Sequence, residues 1–185
     1  MPEYRSNYLT AATFRGHRPT QDFTGLIHEA DDDRIHAALK SGNLRAMFNA
    51  ASAVGNSDDP SLFLDLLQRA FQQASDSERW DVVEEAEIDL ATSLEMVQFE
   101  CLESLPLCGA ETVGLLSEVL RDANDVLMFA VLNGIKANGD PVFVPMLQAF
   151  KDELNRMAVH ADSVSPLNDA ANEALAACSV QLQQL

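Results

Sequence analysis

From Phe23 onward the apolar positions recur three and four residues apart and almost never alternate, the spacing of helices that bury one stripe rather than of strands. Between Asp58 and Gln73, Asp59 is placed to cap, Pro60 suits a first helical turn, and Leu62, Phe63, Leu66, Leu67, Ala70 and Phe71 make one stripe. A longer helix is predicted from Ser77 to about Glu103, with Trp80, Val83, Ala86 or Glu87, Leu90, Leu94 and Val97 near one face and Glu84, Glu85, Asp89 and Glu95 mostly outward. Pro106 and Gly109 then interrupt the pattern, and helices follow over Glu111 to Arg121 and Asp125 to Ala137. Two more close the chain, one opening at Asp140-Pro141 and one running from Ser165-Pro166 through Leu167, Ala171, Leu175 and Cys178.

Shifted by 81 residues, the stretch Arg45 to Leu67 lies over Val126 to Gln148 without a gap. Met47-Phe48 falls on Met128-Phe129, Asp59-Pro60 on Asp140-Pro141, Val54 on Ile135, Leu62-Phe63 on Phe143-Val144 and Leu66 on Leu147. Such an offset spans four helices, or two helical hairpins of about 40 residues each. Asp-Pro opening the first helix of each pair, the Leu66-Leu67 and Leu115-Leu116 doublets and the Ala-rich later helices resemble HEAT or armadillo-like repeats over roughly residues 24 to 180. The chain departs from that pattern in lacking a regular Arg or Lys in the second helix, and its unit from Cys108 to Ala137 is short. The resemblance implies a short curved array of antiparallel helix pairs, used mostly to hold partners. The expected fold is therefore all-α, a short HEAT-like array of antiparallel helix pairs or else an irregular helical bundle. Residues 1 to 23 show no periodicity and read as an arm carrying Tyr4, Tyr8, Phe14 and Phe23, ahead of a single domain over 24 to 185.

Charge changes this picture. The 185 residues contain 12 basic and 29 acidic groups, a formal net charge of −17. Residues 1 to 45 balance, with Arg5, Arg15, Arg18, Arg34, Lys40 and Arg45 against Glu3, Asp22, Glu29, Asp31, Asp32 and Asp33, so the remainder carries the whole excess. Nucleic acid and anionic membrane surfaces are expected to be repelled, because binding either needs clustered Lys and Arg. A basic partner protein would be attracted, with a salt-sensitive encounter rate. Ten carboxylates lie between Asp76 and Glu103 with only Arg79 to offset them. Of these, Asp81, Glu84, Glu85, Glu87 and Glu95 are the candidate docking stripe for Lys and Arg of a partner, against the plainer reading of a solvated helix face.

Candidate chemistry is sparse. His28, Asp32 and His36 stand four apart and would share one helix face, a set able to approach a divalent ion, although position 32 is Asp where the His-Glu-x-x-His zinc pattern has His. The competing reading is that Asp31 to Asp33 open a helix continuing through Ile35, Ala38 and Leu39. Cys101, Cys108 and Cys178 have no paired spacing and read as buried thiols of a reducing compartment. No secretory or membrane-length apolar run occurs, so a cytoplasmic location is expected. Phosphate-cradling Gly-rich loops, dinucleotide fingerprints and nucleophile elbows are absent from the sequence, and no cofactor is implied. These features point to a non-enzymatic binding domain for a basic protein, in its concrete form an immunity or antitoxin-type inhibitor of a toxic effector. An adaptor or chaperone for a secreted protein fits the same features. The reading from a different class is an enzyme or ligand-binding domain whose site gathers residues distant in sequence, with His28, Asp32, His36 and His160 the first to test.

Overall fold

The computed structural model describes residues 32–76, 88–158 and 166–182, and the N-terminal arm lies outside them. Every regular element among the described residues is helical. In chain order the α-helices are α1 (Asp32–Lys40), α2 (Leu44–Ala53), α3 (Leu64–Ala74), α4 (Ile88–Ser104), α5 (Val113–Asp122), α6 (Asp125–Asn138), α7 (Val144–Ala158) and α8 (Pro166–Leu182). Short 3₁₀ turns occupy Val54–Asn56, Pro60–Phe63, Leu105–Cys108, Ala110–Thr112 and Pro141–Phe143. The residue contacts fall into two compact units, Met1–Asp58 with Asp65–Cys101, and Asp59–Leu64 with Leu102–Leu185.

In the first unit, α1 opens on Asp32 and Asp33 and ends on Lys40, charges that complement the partial charges of its ends. It buries Ile35, Ala38 and Leu39, one stripe at helical spacing, and packs on α2, which buries Ala46, Met47, Phe48, Ala50, Ala51 and Ala53. Gln98 of α4 is buried, and its side-chain amide donates to the Ala74 carbonyl at 2.9 Å and to Ser75 Oγ at 3.1 Å. Ala74 is the last residue of α3, so its carbonyl has no partner within that helix. A buried side chain 24 positions later supplies one.

In the second unit, α8 packs on α6 and α7, and α5 packs on both of those helices. The turn Leu105–Cys108, containing the buried Pro106, lies against α6 and against Pro60–Phe63. Asn138 Nδ2 fastens the end of α6 to the Pro106 carbonyl at 2.7 Å. Gly139 then stops α6 with φ +69, a left-handed conformation that glycine adopts without steric cost. Gly134 has a different reason to be glycine. A Cβ built there would overlap the backbone carbonyl of Glu103, so α6 passes Glu103 at a distance no larger residue allows.

The internal similarity extends to the caps. Asn43 Oδ1 accepts from the Ala46 amide at 3.1 Å and Asn124 Oδ1 from the Leu127 amide at 3.0 Å, both N-caps being 81 residues apart. At the same offset Ala46, Ala50, Ala51 and Val54 match Leu127, Val131, Leu132 and Ile135, all buried. Asp59 and Asp140 both accept from the amide two residues on, at 3.2 and 2.8 Å, ahead of a proline in the first position of a 3₁₀ turn.

Past this point the register changes. The turn Pro60–Phe63 has four residues where Pro141–Phe143 has three. The buried positions thereafter correspond at an offset of 80, with Phe63, Leu66, Leu67, Ala70 and Ala74 matching Phe143, Met146, Leu147, Phe150 and Leu154. Leu147 therefore corresponds to Leu67, not to Leu66 as the ungapped sequence alignment has it. Leu62, expected on the buried stripe, is instead 63% exposed. A 3₁₀ turn advances about 120° per residue against about 100° in an α-helix, which carries position 62 off the stripe while Phe63 stays buried. The turn Ala110–Thr112 leads into α5 in the same way, with Thr112, Leu116 and Val119 buried and Thr112 Oγ1 donating to the Gly109 carbonyl at 2.8 Å.

Two glycines within helices, Gly134 and Gly114, predict opposite outcomes. Gly134→Ala is expected to lower stability by about 1–3 kcal/mol, because backbone must move to admit the methyl group. Gly114→Ala in α5, where a Cβ meets nothing within 4 Å, is expected to raise it by about 0.5–1 kcal/mol. Urea denaturation of both variants against the parent checks the pair.

Candidate functional site

The carboxylate-rich stretch divides at the boundary of what the structure describes. Asp81, Glu84, Glu85 and Glu87 lie outside the described residues, as does His28. Glu95 lies within α4, whose surroundings differ from those of a freely solvated acidic face. From Leu94 to Leu105, every residue except Glu95, Glu100 and Glu103 is buried. Over this stretch the helix is apolar on most sides, as a helix enclosed by packing must be. Glu95, Glu100 and Glu103 are half-buried.

That position has an electrostatic consequence. Burial removes water from Glu95 and from Glu103 and raises both carboxyl groups above their ordinary range. Both are carboxylates held where ionisation costs more than it does in the unfolded chain.

The thiols are enclosed. Cys101, Cys108 and Cys178 are all free and buried. Burial pushes the Cys101 thiol up strongly, with the neighbouring Glu100 charge adding to it. Cys108 is pushed up to about 11 by burial and by the charge of Asp59. Its Sγ donates to the Pro60 carbonyl at 3.2 Å. Cys178 is raised by burial and by Asp140, partly opposed by a backbone hydrogen bond. A nucleophilic thiol needs the opposite environment, a lowered pKa and solvent access.

Asp32 and His36 sit one turn apart on α1, and both side chains are exposed. Among the described residues, no group of three or more His, Cys, Asp and Glu side chains is arranged to hold a metal ion. No helix among the described residues is long and apolar enough to cross a membrane.

The described surface bears exposed carboxylates at Asp65, Asp76, Glu111, Glu118, Asp125, Asp152 and Asp169. Cations are fewer, and several are engaged by acids: Lys136 Nζ meets Glu173 Oε2 at 2.7 Å, Arg121 meets Asp122 at 3.0 Å, and Arg156 pairs with Glu153. These pairs are exposed, and each adds little stability. They do reduce the positive charge that the surface presents.

Gln98 and Asn138 are polar residues that the sequence reading does not single out. Each satisfies a backbone carbonyl distant in sequence, 24 and 32 positions away. Their roles are structural, and no local motif signals them.

Two outcomes follow from these environments. In the native protein, the three thiols are expected to react with a thiol reagent at neutral pH only as fast as the fold opens, and all three at once in denaturant; rapid native labelling of Cys108 would contradict its enclosure. Glu95 and Glu103 bind protons more tightly when folded than unfolded, so their contribution to stability grows as pH falls through the raised values and is complete below the unfolded value. Glu103→Gln and Glu95→Gln are therefore expected to raise the melting temperature at pH 7, with the advantage disappearing near pH 4, as followed by circular dichroism across that range. The chain matches no family model, no curated protein and no solved structure.

Proposed function

We propose that this chain is a non-enzymatic binding domain whose acidic helical surface holds a basic protein partner, in its concrete form an immunity or antitoxin-type inhibitor that neutralises a toxic effector. The observation that carries this reading is the distribution of charge. The first 45 residues are balanced, and the other 140 carry the entire −17. Phosphate-bearing partners are disfavoured by such a field, while a partner rich in Lys and Arg is drawn in and oriented before contact.

The surface described above supports the same reading, since its exposed carboxylates outnumber its cations and the cations at Lys136, Arg121 and Arg156 are already engaged. Within the reading, Asp81, Glu84, Glu85, Glu87 and Glu95 form the docking stripe. Glu95 is half-buried, and an incoming cation would meet it in a poorly solvated site, where charges interact more strongly. A HEAT-like array of helix pairs is the architecture proposed to present these residues. Its support is the recurring helix, 3₁₀ turn and helix of α2 with α3, α4 with α5 and α6 with α7. Cytoplasmic residence is part of the proposal, in keeping with three buried, unpaired thiols.

The test is affinity purification of the tagged protein from its native cell at low and moderate salt, with the eluate identified by mass spectrometry. One basic protein in stoichiometric amount, with recovery falling as salt rises, is the expected result. An empty eluate at both salts would overturn the reading.

A further inference from the structure

We draw no further inference here: the strongest candidate, the exposed Leu62 on the 3₁₀ turn Pro60–Phe63 with Asp59 beside it, is a lone apolar side chain next to an acidic cluster, and nothing in the structure shows what covers it.

Discussion

The enclosure of α4 is the constraint on which the rest depends. From Leu94 onward α4 is buried on most sides, which leaves little room for polar side chains, and most residues from Leu94 to Leu105 are apolar. Gln98 is buried and polar, and it is tolerated because its amide donates to the Ala74 carbonyl at the end of α3. Glu103 is held at the margin, and its backbone carbonyl lies where α6 can pass only if residue 134 has no side chain. One glycine, one glutamine and the apolar face of α4 thus set how closely their neighbours approach within the respective units.

Two segments of helix, turn and helix differ in length by one residue and still bury corresponding positions. Between the segment beginning at Asn43 and that beginning at Asn124, the capping asparagines and the Asp-Pro steps keep one register while the second helices keep another. The extra residue is taken up in the 3₁₀ turn, where tighter winding lets the chain rejoin the buried stripe at Phe63. Volume is redistributed as well. Ala70 and Ala74 stand where the later segment has Phe150 and Leu154, so the two segments share a burial pattern without sharing side-chain sizes.

The helices were legible because their signals are local. Asp59-Pro60, Asp140-Pro141, Pro106 and Gly109 mark breaks through dihedral limits that act within a few residues, and the buried stripes of α1 and α3 follow the 3.6-residue period. The position of Leu62 was not legible, since helical periodicity takes no account of a 3₁₀ turn. Gln98, Asn138 and the close passage at Gly134 depend on backbone 24 to 32 positions away, and no spacing rule reaches so far. For the candidate site, composition identifies an acidic region and its charge excess. It does not distinguish Glu95, enclosed enough to have its ionisation opposed, from an ordinary surface glutamate.

These results separate two roles for the acidic residues. Two, Glu95 and Glu103, sit where ionisation works against folding, and many others are exposed on the described surface. Retaining so one-sided a surface is explained, in the account proposed here, by what the surface attracts. The most direct measurement sets partner capture beside thermal melting for the parent chain and for the variant Glu84→Lys, Glu85→Lys, Glu87→Lys. The account predicts that the variant loses the basic partner while melting with the same cooperativity; capture that survives the charge reversal would contradict it.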